Sequence, residues 1–295
     1  MNWIAVLVGA QSAGGLTDAV ANAARAAVSG GPLTWLAPGL ASEFPVSADA
    51  WQTAEHAIRQ SLTGASVDIA VLPTDNRRKR LLIADMDSTI IGCECIDELA
   101  DFAGVKAEVA AITERAMNGE IDFPEALRHR VALLKGLSIT ALQQAYDQRV
   151  RLNRGARALV QTMNATALTA LISGGFTFFT TRVAEAAGFA VNRANILLED
   201  GVTLTGAVAD PILGREAKLA ALRELAAAKH LEPADCVAIG DGANDLAMIE
   251  AAGLGVAYRA KPVVAAAARA RIDHADLTAL LYFQGYHAGQ IAAEI

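Results

Sequence analysis

Leu81-Leu82-Ile83-Ala84-Asp85-Met86-Asp87-Ser88-Thr89 is an apolar run that leads straight into two carboxylates and two hydroxyls. A short run without polar alternation reads as a strand buried on both faces, as in a parallel sheet, and not as a strand with one wet side. The pattern recurs. Ala167–Ser173, Val237–Asp241 and Gly253–Ala257 are further apolar runs, the first two leading into Gly174-Gly175 and Gly242-Ala243-Asn244-Asp245. Such strands, each followed by a helical pattern, predict an α/β fold with a doubly wound parallel sheet. Ligands bind at the carboxyl ends of the strands in such sheets, so the polar ends of three of these runs are expected to converge.

Outward from these strands, residues from about 92 to 157 break the rhythm: they are helical in pattern, rich in charge and without a strand. They predict a helical cap inserted over the end of the first strand. Ile196–Leu204 reads as a β-hairpin turning at Asp200-Gly201. Before the basic stretch lie a strand (Trp3–Val8), a helix (Leu16–Val28), a strand (Leu33–Leu36), a helix (Ala48–Leu62) and a strand (Ser66–Leu72), which suggest a small α+β layer with helices on one face. Pro73–Arg80, turn-rich and then basic, reads as a solvated linker. The expected division is 1–76 and 77–295. Leu281–Gly285 resembles part of a protease-tag remnant, but Ala279 and Leu280 stand where a tag has Glu and Asn, so it reads as native.

Composition removes several classes of function. The 295 residues are 53% hydrophobic, which excludes disorder, and 25 Lys and Arg against 32 Asp and Glu give a net charge of −7. An acidic chain offers no long-range attraction to nucleic acid, so none is expected as a partner. The mean hydropathy of +0.31 owes much to alanine, and no stretch supplies the roughly 20 apolar residues of a spanning helix. No Lys or Arg precedes Trp3–Val8, as a signal peptide would require. Three cysteines, with Cys93 and Cys95 too close for an easy bridge, point to a reducing compartment, the cytoplasm by default. A homodimer is compatible with the sequence.

Asp85 and Asp87, two residues apart, are able to face one pocket. Clustered carboxylates raise one another's pKa unless a divalent cation sits between them, and oxygen ligands with room for water and phosphate suit Mg²⁺. Capping residues at a strand end are the plain alternative for any single site, but three polar ends on three such strands weigh against it. Lys218 taken alone is a surface helix lysine. Cys93-x-Cys95 lacks further zinc ligands, and neither a Walker loop nor H-E-x-x-H is present.

Asp85-x-Asp87-x-Thr89, Ser173, Lys218 and Gly240-Asp241-Gly242-x-Asn244-Asp245, in that order, resemble the four motifs of the haloacid dehalogenase superfamily of phosphatases. The resemblance implies a Rossmann-like core in which Asp85 is the nucleophile and forms an aspartyl-phosphate that water then hydrolyses. It implies Mg²⁺ held by Asp85, Asp241 and the main-chain carbonyl of Asp87, with the Asp87 side chain acting as acid and then as base. Lys218, Ser173 and Gly174 would neutralise the phosphate, and Asn244 would contact phosphate or substrate. Thr89 and Asp245 would stand behind these groups, Asp245 orienting Asp241 or Lys218.

Asp85–Ala100, Ile112–Gly119 and Phe123–Gly136 are similar to the branch of that superfamily that acts on O-phospho-L-serine, in a resemblance running from about Leu81 to Arg271. It implies the last step of L-serine biosynthesis, with Glu94 meeting the substrate ammonium, Arg130 its carboxylate, and Met117 and Phe123 forming the apolar wall. A planar guanidinium suits a carboxylate; Arg128 is the alternative to Arg130, and Glu94 and Arg130 are also able to pair on the cap surface. The other readings are a phosphatase or phosphotransferase for another small phosphorylated amine, and a serine-sensing module with a vestigial core. By position and element order alone, residues 1 to about 75 are similar to a degenerate ACT-type regulatory domain.

Overall fold

The computed structural model describes residues 2–117 and 120–293, without the side chain of Met117. Its first layer runs β1 (Trp3–Gly9), α1 (Asp18–Ala27), β2 (Thr34–Ala37), β3 (Ala41–Val46), α2 (Trp51–Ser61) and β4 (Val67–Pro73). The four strands form an antiparallel sheet in the order β2-β3-β1-β4, the connectivity of a ferredoxin-like unit. The sequence reading missed β3, which contains Pro45. There the main-chain oxygen accepts from Gly31 N at 2.8 Å, beyond the end of short β2, so the missing N–H of proline also faces a side where the ladder has stopped.

The rest of the chain continues with β5 (Leu81–Ala84), α3 (Cys95–Ala103), α4 (Lys106–Met117), α5 (Phe123–Ala132), α6 (Ile139–Arg149), α7 (Ala156–Asn164), β6 (Leu168–Phe176) and α8 (Thr177–Ala187). After these come β7 (Val191–Asn195), β8 (Leu197–Glu199), β9 (Leu204–Val208), α9 (Arg215–Ala228), β10 (Cys236–Gly240), α10 (Leu246–Ala251), β11 (Leu254–Tyr258), α11 (Pro262–Ala267), β12 (Ala270–Ile272) and α12 (Ala279–Phe283). Six strands form the parallel sheet in the order β12-β11-β10-β5-β6-β7. Leu82 and Ala84 of β5 belong to one hydrophobic cluster and Leu81 and Ile83 to another, which is why the strand lacks alternation: both faces are covered. The two strands the sequence did not reveal, β7 and β12, are the sheet's edges, one polar and half-buried, the other three residues long.

From β5 the chain winds to β6 and β7, then returns to β10 on the other side of β5, so the order reverses between β5 and β10. Helices α3 to α6 lie between β5 and α7, as expected of the insertion. The hairpin β8–β9 underpins them through Gly136 N to Leu204 O (2.9 Å) and Leu204 N to Leu137 O (2.8 Å). Its turn is wider than an Asp-Gly dipeptide turn: Glu199 pairs with Leu204, and Asp200 Oδ1 accepts from Val202 N (3.0 Å) and Thr203 N (2.7 Å).

The basic stretch is exposed along much of its length, Arg78 and Arg80 included, but it is pinned to the fold at both ends and is not a free linker. Arg77 Nη2 donates to Glu43 Oε2 (2.7 Å), Arg80 pairs with Asp235 (3.1 Å), and buried Lys79 donates through Nζ to Asn76 O and Ala234 O (2.7 Å each). The cause lies far along the chain. Buried α12 and Gln284 return beside it, Gln284 Oε1 accepting from Lys79 N at 2.9 Å, so Leu281–Gly285 is part of the packed fold. One face of the first sheet is closed by α1 and α2; the other, through Ile4, Val6, Val8, Ala70 and Leu72, joins the main core. Asp68 of β4 also reaches across, its buried carboxylate accepting from the main-chain N–H groups of Asp273 (2.8 Å), His274 (3.1 Å) and Ala275 (2.7 Å) just after β12. Among the described residues no helix is long and apolar enough to cross a membrane.

Candidate active site

At the reversal point, Asp85 N donates to Ile239 O (3.0 Å), which sets the end of β5 beside β10. The chain then makes a wide turn over Met86–Ile90, closed by Ile91 N donating to Met86 O at 3.0 Å, with Asp87 extended (ψ 138°) and Ser88 at φ 55°, a left-handed conformation unusual for serine. Met86 turns into the core, so Asp85 and Asp87 on either side of it both line the same cavity. Beneath Asp85 lies Lys218 of α9. Its Nζ is 2.6 Å from Asp85 Oδ1 and 2.6 Å from Asp245 Oδ1, and the lysine is fully enclosed. Asp245 Oδ2 accepts from the N–H groups of Asp241 (3.2 Å) and Gly242 (3.1 Å). A side chain at Gly240 has no room, since its first carbon would lie 2.4 Å from Asp245 Cγ. Asp241 Oδ1 accepts from buried Thr89 Oγ1 at 3.0 Å.

The carboxylates of Asp85, Asp241 and Asp245 offer oxygens within 4.8 Å of one another, with Lys218 the one ammonium bonded to them among the described residues. Burial, with Asp245 adding to it, pushes the Asp85 carboxyl well above the ordinary range, and burial followed by Asp245 lifts Asp241 to about 6. Burial opposes the charge on Lys218, but Asp85 and Asp245 outweigh it and raise its pKa. Burial and then Glu94 bring Asp87 to about 7. The negative charge exceeds what the protein itself neutralises, and the donor set of buried oxygens fits a hard divalent cation.

On the neighbouring strand end, Ser173 Oγ accepts from Gly175 N (2.9 Å), and Asn195 donates to Gly174 O (2.8 Å) while accepting from Leu213 N (2.6 Å). The cap closes a cavity of about 400 Å³ above these residues. Glu94 enters at the start of α3, where its Oε1 accepts from Ser88 Oγ at 2.6 Å, and Cys95 N donates to Asp87 Oδ1 at 3.2 Å. Arg130 of α5 donates through Nε to Ala126 O (3.3 Å) and reaches Thr113 Oγ1 at 3.4 Å. Burial lowers its pKa, a shift opposed by Asp97 and Glu94, yet among the described residues no carboxylate stands at ion-pair distance from it.

Asp85, Asp87, Glu94, Phe123, Arg130, Ser173, Gly174, Asp241 and Asn244, all singled out in the sequence, line this one cavity. Thr89, Lys218 and Asp245 stand behind its wall, and the side chain of Met117 lies outside the described residues. Arg128 points elsewhere, bonded to Asp210 at 2.7 Å on the surface. The sequence reading missed Ser88, Asp97, Thr113 and Lys261, which also line the cavity, and Asn195, which braces Gly174. Asp97 was within reach of it, one helical turn after Glu94 on a helix already suspected of carrying recognition; Asn195 gave no signal, being one polar residue on a polar edge strand.

Residues 82–250 match the family model of haloacid dehalogenase-like hydrolases, and the chain belongs to that family. Within it, the relatives carry a narrower name. A phosphoserine phosphatase of Polaromonas sp. is 48% identical over 208 residues, which are 68% of this chain and 88% of that protein. The structure of a probable phosphoserine phosphatase from Vibrio cholerae superposes with a TM-score of 0.78 at 30% identity, covering 98% of this chain and 88% of the other. An HAD-family hydrolase from Salmonella enterica serovar Typhi superposes at 0.85 with 28% identity, covering 96% and 98%.

Proposed function

We propose that this chain is an Mg²⁺-dependent phosphoserine phosphatase, hydrolysing O-phospho-L-serine to L-serine and phosphate. The observation that carries the reading is the half-buried Arg130 guanidinium, free of any ion pair among the described residues, in one cavity with Glu94 and with Asp85 and Asp241. An amino acid needs one anionic and one cationic partner beyond those that hold its phosphate. The names of the relatives agree with it.

In this reading an Asp85 oxygen bonds to phosphorus as the bond from phosphorus to the seryl oxygen breaks, and Asp87 gives its proton to that oxygen. Asp87, now charged, takes a proton from water, whose oxygen attacks phosphorus; the Asp85 bond breaks and phosphate leaves. A carboxyl near pKa 7 suits a group that must do both. Lys218 works against the rise in the Asp85 pKa and so favours the ionised carboxylate, and donors at Ser173 and Gly174 would neutralise the phosphate oxygens. Bound Mg²⁺, held by Asp85, Asp241 and the Asp87 carbonyl, would neutralise phosphate charge. The division is residues 1–76 as an ACT-like layer and 77–295 as the phosphatase, with the cap over about 92–157; the end of β4 at Pro73 and the start of β5 at Leu81 support it.

The test is phosphate release from O-phospho-L-serine with and without Mg²⁺. Release should require the metal and be abolished by Asp85→Asn. Arg130→Ala should raise KM for phosphoserine more than tenfold while sparing p-nitrophenyl phosphate; equal losses on both substrates would remove Arg130 from carboxylate recognition.

A further inference from the structure

The chain leaves the core for the cap through Ile90-Ile91-Gly92 and returns through Arg151-Leu152-Asn153, and the two crossings are zipped together. Gly92 N donates to Arg151 O (3.2 Å), Asn153 N donates to Ile90 O (2.8 Å), and Ile91 and Leu152 form an antiparallel bridge. The Asn153 side chain then reaches over the outgoing crossing. Its Nδ2 donates to Thr89 O at 2.8 Å and to Ile91 O at 3.1 Å, so both amide protons are spent on carbonyls that straddle Ile90. Thr89 is fully buried, and its hydroxyl is the donor at 3.0 Å to Asp241 Oδ1. The next residue, Arg154, donates to Gln11 Oε1 of the first layer at 2.5 Å. One side-chain amide at the foot of the cap is thus a single residue removed from the acidic cluster.

We infer that Asn153 is a positioning residue: it fixes the main chain at Thr89 so that the threonine hydroxyl holds Asp241 in place, which makes cation affinity depend on the hinge of the cap. This rests on the reading of Asp85 and Asp241 as the cation site and names what sets their geometry. Groups that orient metal ligands through hydrogen bonds change metal affinity by about 10–100-fold when removed. Asn153 acts through one intermediary, so a loss at the lower end, about tenfold, is expected.

The experiment is calorimetric titration of Mg²⁺ alone into the full chain, with the melting temperature of each variant recorded beside it. Asn153→Ala should weaken Mg²⁺ binding about tenfold, and Asn153→Leu, similar in size but without a donor for either carbonyl, should weaken it as well. Thr89→Val should weaken binding as well, and the double variant Thr89→Val/Asn153→Ala should be no weaker than Thr89→Val, because the amide works through that hydroxyl. A residue that merely braced the fold would lower the melting temperature and leave Mg²⁺ affinity alone. Wild-type affinity in both Asn153 variants overturns the inference while leaving the cation site intact, and additive losses in the double variant overturn the route through Thr89. A wild-type chain that takes up no Mg²⁺ overturns the cation site itself and this inference with it.

Discussion

Ser88 does two things that conflict. Its backbone sits at φ 55°, where a side chain costs roughly 1–2 kcal/mol and glycine costs little, while its hydroxyl holds Glu94 at 2.6 Å. Ser88→Gly and Ser88→Ala should therefore part company in stability and agree in function. Glycine should melt at or above the wild-type temperature and alanine should not exceed it, yet both should raise KM for phosphoserine several-fold as Glu94 loses its donor. Steady-state kinetics and calorimetry check this, and unchanged KM in both would detach Ser88 from recognition. The raised carboxyls make a second prediction. A carboxyl with a folded pKa above its unfolded value of about 4 favours folding below that value and loses this contribution as pH rises through the folded pKa. With Asp241 at about 6, Asp87 at about 7 and Asp85 raised as well, the metal-free protein should melt progressively lower between pH 5 and 8. Asp87→Asn should flatten the upper part of that slope, and a pH-independent melting temperature in chelator would contradict the shifts.

Among the elements, the hairpin β8–β9 supports the cap at Gly206. Its φ is 81°, and a side-chain carbon there would come within 2.8 Å of Lys135 Cβ in the turn just after α5. Gly201, in the turn of the same hairpin, has φ 90° and open space around it. Gly206→Ala should thus be more destabilising than Gly201→Ala, which bears only the backbone cost of about 1–2 kcal/mol. The excess should appear as faster amide exchange in α5, and equal effects would mean that the hairpin does not seat the cap. How much of this was legible beforehand differs from element to element. Strands β5, β6, β10 and β11 showed themselves because burial on both faces writes an unbroken apolar run, and the carboxylates at their ends drew notice because ligands gather where such strands end, whereas Lys218 on α9 stood out only through the family resemblance. β3 hid behind Pro45, whose tolerance depends on β2 stopping short. Pro73–Arg80 read as a linker because its charges are answered by Glu43, Asp235 and the segment around Gln284, and nothing local announces partners 34 to 205 residues away.

For the whole molecule, the first layer and the phosphatase core share one hydrophobic interior. Ile4, Val6, Val8, Ala70 and Leu72 cluster with Leu82, Ala84 and the residues of α12. A fragment of residues 1–76 would expose that entire face of its sheet, at a cost of roughly 25 cal/mol for each Å² of apolar surface returned to water. It should be poorly folded and prone to associate, which circular dichroism and size-exclusion chromatography would reveal; a monomeric, cooperatively melting fragment would show that the layer is an independent unit. Any signal arriving at the first layer would then reach the core through packed side chains and not across a flexible tether.

The reach of Asp68 across to the main chain of 273–275 has a consequence of another kind. β12 is the last strand on its side of the parallel sheet, and a terminal strand with unsatisfied main-chain groups is a template on which a stranger's strand can grow. By fastening the chain just past β12 to β4, this carboxylate adds to the shared hydrophobic interior that lodges the first layer against that border. The layer therefore serves as a bumper for the catalytic sheet, protecting it from its own tendency to extend.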